Sequence, residues 1–386
     1  MAASKPTPPR RKSKKGKGKW FVLLMALVVG TAVWIWFAQK PKSLRKTKTP
    51  ATQPSKNPTR LASARRLKIL TLNKTNAPSA TNRALLKTNS LSQPAVISPS
   101  GGRTAQTILE AQIALARLGI SPGSIDGSIG SQTRAALRAF QQNAHLPVTG
   151  ELDPTTKAKL ILEPPVYTDL TVTTDDLARL QPLGTNWFSK SQQSRLDYET
   201  ILEFVAEKTF SHPDFIKQLN PAIDWSNVTA GTRLRVPNVE KPKVLVGAAF
   251  VHIHLAGKNL EAFDAETNLL AHFPCSIAQH VDKRPVGELH VSKIAVGPDY
   301  TFNPEIFPES AEARTLNSKL IISPGPNNPV GTVWIGLDKP GYGIHGTPTP
   351  ESVGRTESHG CFRLANWNAE FLVRLVSVGT PVYVDP

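Results

Sequence analysis

The sequence predicts a multidomain protein: one transmembrane helix and a disordered tether, two small modules built on helices, and a mainly β domain over residues 243–386. Three observations carry that expectation. An uncharged, mostly apolar run of 19 residues lies at Trp20–Ala38. The apolar spacing is helical between residues 104 and 219, then gives way after Val239 to short apolar runs divided by Gly/Pro turns. The positive charge is confined to one end: the chain of 386 residues carries +17, yet its first 100 residues hold 21 Lys/Arg and no acid. The other 286 carry 25 basic and 29 acidic side chains, which excludes a basic fold that grips nucleic acid.

The leader divides into three parts. Residues 1–19 hold eight basic side chains and read as a cytoplasmic tail. Residues 20–38 are long enough to cross the hydrocarbon core as a helix, with Trp20, Trp34 and Trp36 suited to its interfaces. The basic excess before the run places the N-terminus inside and the bulk of the chain outside the cytoplasm, and a cleaved signal peptide is the competing reading. Residues 39–102 are rich in Lys, Thr, Ser, Asn and Pro and cannot bury enough apolar surface to offset chain entropy. As a coil they span on the order of 45 Å.

From Thr104 the spacing of Leu109, Ile113 and Ala116 predicts a helix, with Leu115 and Leu118 widening its stripe and Gly119 ending it. A turn at Asp126-Gly127 leads to a second helix from Ser131, carrying Ala136, Leu137 and Phe140. After Thr149-Gly150 a third starts with Asp153 as N-cap and Pro154 at its first position. The phrase LGISPGSIDGSIGSQTRAALRAFQQNAHLPVTGELDPTTKAKL, with its DG–G–T–A–FQ–L–G–LD–T spacing, resembles the peptidoglycan-binding domain attached to many bacterial wall hydrolases. The resemblance implies a three-helix module over 103–163 that binds cell-wall glycopeptide. Asp126, Gly127, Phe140 and Gln141 serve equally well as its turn and core residues.

Residues 164–195 show no sustained period and are expected to be a connector. Tyr198, Ile201, Leu202, Val205 and Ala206 then define an amphipathic helix. Pro213 opens a second helix with Phe215, Ile216 and Leu219 inward, and Leu234-Arg235-Val236 is a strand. The run DYETILEFVAEKTFSHPDFIKQLNPAIDWSNVTAGTRLRVPNV resembles the helix–helix–strand part of a LysM module, which binds amino-sugar polymers. Over 196–240 the opening strand of such a module is not evident before Tyr198, so packing beside the last domain is an equal reading.

The last domain offers strands at Val244–Ala249, Phe250–Leu255, Leu269–Phe273, Glu288–Ile294, Thr332–Leu337 and Val382–Val384, and one helix from Asn366 to Val376. Its informative stretch is GIHGTPTPESVGRTESHGCFRL, Gly343–Leu364. Cys361 sits in a Ser-His-Gly-Cys turn whose glycines permit close backbone approach, and His345 lies upstream. A thiol is a weak nucleophile until a base takes its proton, and an imidazole can do so and later return it to a leaving amine. A buried structural cysteine is the bland alternative, and His359 is the competing base.

HGT–(x6)–G–(x3)–SHGC–x–R–L, together with RPVGELHV (Arg284–Val291), NPVG (Asn328–Gly331) and the closing GTPVYV, resembles the YkuD-type L,D-transpeptidase family over about 243–386. The resemblance implies that Cys361 is the nucleophile and His345 the general acid/base, with the Gly346 carbonyl orienting the imidazole. His359 and Gly360 match the residues before the nucleophile, where the Gly360 and Cys361 N–H groups would form an oxyanion hole. Ser358 and Arg363 match positions suited to loop architecture or to a substrate carboxylate, and a structural salt bridge is the alternative for Arg363. The implied reaction releases D-Ala from a stem peptide through a Cys thioester and forms a 3→3 cross-link in peptidoglycan, with no metal or organic cofactor. The implied partners are peptidoglycan stem peptides and glycan and, through the N-terminal helix, the bacterial inner membrane, with the catalytic domain in the periplasm or cell envelope. Trimming by water, attachment of a protein to the wall and a non-catalytic scaffold are the rivals. His252 and His254 share one strand face but lack an evident third metal ligand. Cys275 is expected to be a small buried residue, and a Cys275–Cys361 disulfide would consume the nucleophile.

Overall fold

The computed structural model describes residues 101–307, 310–356, 358 and 360–386. The expected tail 1–19, the transmembrane helix 20–38, nearly all of the tether 39–102 and His359 lie outside the described residues. Among the described residues no helix is long and apolar enough to cross a membrane.

The first module follows its sequence closely. Strand β1 (Arg103–Thr104) leads to helices α1 (Ile108–Arg117), α2 (Ser131–Asn143) and α3 (Pro154–Lys159), and β2 (Ile161–Leu162) pairs antiparallel with β1 to close the ends. Asp153 caps α3 by accepting from the Thr156 N–H at 2.8 Å, with Pro154 in the first turn as expected. Leu118 is the exception: it lies past the last turn of α1 and is 51% exposed, outside the apolar stripe. Two buried glutamines fix the turns. Gln112 accepts from the Asp126 and Gly127 N–H groups, and Gln141 accepts from Gly150 while donating to Thr149, Thr156 and the Glu151 carbonyl. Asp126, Gly127, Phe140 and Gln141 are thus turn and core residues.

The second module begins earlier than its helical spacing suggests. Strand β3 (Tyr167–Thr171) is followed by short helices α4 (Thr174–Ala178) and α5 (Trp187–Ser191), then α6 (Ile201–Lys208), α7 (Pro213–Leu219) and β4 (Arg233–Pro237). β3 pairs antiparallel with β4 from Tyr167↔Pro237 to Thr171↔Arg233. The expected connector 164–195 therefore contains a strand, and the module is a β–α–α–β unit interrupted after β3 by an insertion that carries α4 and α5. α6 has a complete capping box, Thr200 accepting from the Glu203 N–H while the Glu203 carboxylate takes the Thr200 N–H.

The last domain is built on an eight-stranded sheet. Its strands are β5 (Phe250–His254), β6 (Asn259–Phe263), β7 (Leu269–Pro274), β8 (Gly287–Val296), β11 (Val333–Leu337), β12 (Gly343–His345), β13 (Phe362–Arg363) and β14 (Pro381–Asp385), in spatial order β13-β12-β11-β8-β14-β5-β6-β7. Between β8 and β11, β9 (Tyr300–Phe302) and β10 (Leu320–Ile322) form a separate antiparallel arm. Val251, Ile253, Leu289, Val291, Ile335, Ile344, Phe362 and Val382 point to one core, closed by helix α8 (Asn366–Leu372). Val244–Ala249 is not a strand: it has no ladder partner, and Leu245 is 90% exposed. α8 ends at Leu372, before the expected Val376, in a turn.

The three modules interlock at the start of α8. The Asn366 amide donates to both Glu207 carboxylate oxygens at 3.1 Å, Trp367 stacks on Phe210, and the Asn368 amide donates to Ser121 at 3.1 Å. Three consecutive residues of the last domain thus reach the other two modules.

Candidate active site

The two segments that carry the sequence motif become neighbouring strands. β12 pairs parallel with β13 in the register Ile344↔Phe362 and His345↔Arg363. Ile344 and Phe362 enter the core, so strand alternation turns Gly343, His345, Cys361 and Arg363 to the other face. A local sequence motif has become a cross-strand cluster.

His345 is buried, and its Nδ1 lies 2.6 Å from the carbonyl of Gly346. A carbonyl only accepts, so Nδ1 carries the proton and Nε2 presents a lone pair. Burial lowers the imidazole to about 4, against the opposing pull of the Gly346 carbonyl, and the nearby Arg363 charge acts in the same direction as burial. The ring stacks on Trp334, with centroids 5.6 Å apart and planes 19° from parallel. Trp334 is the direct ladder partner of His345 across β11 and β12. Gly346 must be glycine: a Cβ there would lie 2.2 Å from Asn366 Oδ1, the atom that accepts the Thr347 N–H at 3.0 Å.

Cys361 is half-buried and free, as is the fully buried Cys275, so no disulfide consumes the thiol. Its Sγ donates to the Gly341 carbonyl at 3.5 Å. Burial pushes the thiol up, while the Gly343 N–H and the Arg363 charge pull it down without reversing the shift. Among the described residues no hydrogen bond joins Cys361 directly to His345. In apo sites such contacts are commonly long and close only around substrate.

Arg363 is part-buried, and among the described residues its guanidinium makes no ion pair. Burial lowers its own value, against the fields of Cys361 and Cys275. Its backbone exchanges two hydrogen bonds with Ser276, which fixes the strand beneath the thiol. The structural salt bridge weighed for it is not formed with any described residue. Ser358 is buried, and its hydroxyl donates to the Cys361 carbonyl at 2.5 Å and accepts from the Gly360 N–H at 3.3 Å. Its backbone also pairs with Ile277 and Gln279. Ser358 therefore holds the loop, and the Gly360 N–H would have to leave it to face an oxyanion. His359 lies outside the described residues.

Two further residues complete the site. Tyr300 on the β9–β10 arm feels the Cys361 charge, which adds to burial in raising its phenol. Asn366 accepts from the Thr332 and Thr347 N–H groups, binding the His345 loop to α8. Elsewhere, the strand pair His252 and His254 gains the partner that sequence spacing did not offer: Asp385 of β14 lies beside both.

Comparison with known proteins agrees with this architecture. Residues 104–160 match the profile of a peptidoglycan-binding domain, and residues 248–384 match that of the YkuD L,D-transpeptidase catalytic domain. The YkuD protein of Bacillus licheniformis, which carries an L,D-transpeptidase name, is 25% identical over 185 residues, covering 48% of this chain and 93% of the relative. YbiS of Escherichia coli, named for the same activity, is 29% identical over 192 residues, 48% of this chain and 60% of its own length. A solved L,D-transpeptidase segment from Xylanimonas cellulosilytica aligns at 17% identity and a TM-score of 0.32, over 76% of this chain and all of that one. The C-terminal part of this chain is a YkuD-type L,D-transpeptidase catalytic domain, and a peptidoglycan-binding domain precedes it.

Proposed function

We propose that Cys361 is the acyl-accepting nucleophile of this enzyme and His345 its proton carrier, acting on peptidoglycan stem peptides. The observation that carries this reading is the β12–β13 register, which turns Gly343, His345, Cys361 and Arg363 to one face. His345 Nε2 takes the thiol proton as sulfur attacks the carbonyl at the L-centre of the third stem residue. The bond to D-Ala then breaks, and the imidazole returns the proton to the leaving amine. A thioester remains. The side-chain amine of a second stem peptide attacks it, gives its proton to His345 and leaves a 3→3 cross-link, with the thiol regenerated. The Arg363 cation, which forms no ion pair with a described residue, is suited to a substrate carboxylate. Water in place of the second amine would yield a trimmed tripeptide.

The first module is assigned to cell-wall glycopeptide, and the β–α–α–β module, LysM-like in element order, to glycan; holding a polymer at two sites raises the local concentration of its peptides. Residues 20–38 are assigned to the inner membrane and the folded part to the periplasmic side. The full chain, purified in mild detergent, is incubated with disaccharide-tetrapeptide and followed by intact mass. A stem-peptide adduct on the wild type, free D-Ala and dimers are expected, with neither adduct nor product from Cys361→Ala and a loss of at least a hundredfold in rate for His345→Ala. Tripeptide without dimers would favour the hydrolytic reading, and an adduct persisting in Cys361→Ala would overturn the assignment.

A further inference from the structure

On the opposite side of the domain's sheet from the core, β14, β5, β6 and β7 set two rows of polar side chains side by side. One ladder row runs Tyr383, His252, Glu261, His272, and the next runs Asp385, His254, Asn259. Ligand atoms of His252, His254 and Asp385 all lie within 4.8 Å of one another. The two histidines border a cleft of about 400 Å³ whose other wall is α2 of the first module, including Arg138 and Gln142.

The hydrogen bonds leave acceptors facing acceptors. Glu261 lies 3.3 Å from His254 Nε2 and 3.0 Å from His272 Nδ1, and a carboxylate requires a proton on each of those nitrogens. In the neutral tautomer His254 Nδ1 then points a lone pair at Asp385 Oδ2, 3.9 Å away, with His252 Nε2 in contact with the same oxygen. Such an arrangement suits a cation between them. In the same cleft His272, 1% exposed, has no partner for Nε2 among the described residues, and neither has the buried Asn259 Oδ1.

We propose that His252, His254 and Asp385 form a binding site for a divalent transition-metal ion of the zinc class, separate from the Cys361 centre. Two imidazole nitrogens and one carboxylate suit zinc and its neighbours rather than magnesium or calcium, which prefer all-oxygen shells. Glu261 orients His254 from behind through Nε2, the carboxylate–histidine–metal arrangement that fixes a ligand's tautomer, and His272 anchors Glu261 in turn. Bonds of about 2.0–2.2 Å require only that the three side chains draw together around the ion. The metal ties the last strand of the fold to β5, and its remaining positions open to the cleft beside α2.

The full chain in detergent is stripped with chelator, dialysed against limiting Zn²⁺ and assayed for metal content and thermal unfolding. About one zinc per chain and a zinc-dependent rise in Tm are expected for the wild type and for Cys361→Ala, which removes the half-buried thiol of the active site. Asp385→Asn, nearly the same shape, and His254→Ala lose at least tenfold in zinc content and lose the Tm response, while their metal-free Tm values stay near the wild type. The proposal is overturned if the wild type binds no zinc, so that a proton alone joins these groups, if Asp385→Asn retains its zinc, or if Cys361→Ala abolishes binding.

Discussion

At the scale of single residues, the site holds a neutral thiol beside a neutral imidazole. Burial raises Cys361, and burial lowers His345 to about 4, so neither is ionised near pH 7. Alkylation of Cys361 by iodoacetamide is expected to climb through the alkaline range with no plateau between pH 5 and 7. Arg363→Gln should slow it at fixed pH, because the cation that pulls the thiol down is gone. A plateau below pH 7 would reveal a resting thiolate–imidazolium pair and defeat this account. For kcat/KM the sign follows from the base role proposed for His345: protonation would remove it only as pH falls towards about 4, so the acid limb is expected below the usual histidine range. Cys361 and His345 were legible because their flanking glycines and signature residues are local in the chain. Trp334, Tyr300 and Asn366 were not, because each acts across a ladder, an arm or a helix start that no short window contains.

At the scale of elements, the β9–β10 arm that carries Tyr300 is held by the insertion of the second module. Trp187 of α5 stacks on Phe302 with centroids 4.2 Å apart, and Leu196, Phe302, Ala313 and Ile322 form a small separate core. Leu196 also exchanges backbone hydrogen bonds with Pro324 and Asn327. Trp187→Ala should cost roughly 1–3 kcal/mol, concentrated in this arm. Amide exchange at 300–302 and 320–322 is expected to quicken and acylation by stem peptide to slow, while exchange in β5 and β8 is unchanged. Unaltered exchange at 300–302 would mean that the insertion does not support the arm. The same insertion explains why β3 was missed in the sequence. A strand is recognised by its alternation and a nearby partner, but Tyr167–Thr171 pairs with a segment beyond four helices, and its only mainly apolar positions are Tyr167 and Leu170. β12 and β13 were missed for a related reason: at three and two residues they are too short to show a period, and only their pairing defines them.

At the scale of the whole molecule, the modules are joined through a buried acid. Glu207 of α6 accepts from the Asn366 amide and from the Tyr198 hydroxyl at 3.1 Å, while Asn366 in turn holds the Thr347 N–H beside His345. Burial raises Glu207 to about 8, against the pull of those two donors, and the neighbouring Glu370 and Glu203 add to the rise. In an unfolded chain the same carboxyl ionises at its ordinary value, so the folded state keeps a proton that the unfolded state gives up across the window between the two. Stability from this group is complete below the ordinary carboxylate range and is lost as pH rises through about 8, a swing on the order of a few kcal/mol. Glu207→Gln keeps the shape and the acceptor for Asn366 but cannot ionise. Its Tm should therefore vary less than that of the wild type between pH 5 and 9 and exceed it by several degrees at pH 9. Because Asn366 also fixes the His345 loop, the variant should retain more transpeptidation than the wild type at alkaline pH once the thiol's own titration is taken out by alkylation rates. Parallel Tm profiles for the two proteins would mean that Glu207 is already ionised in the fold and that its contact with Asn366 carries no pH dependence.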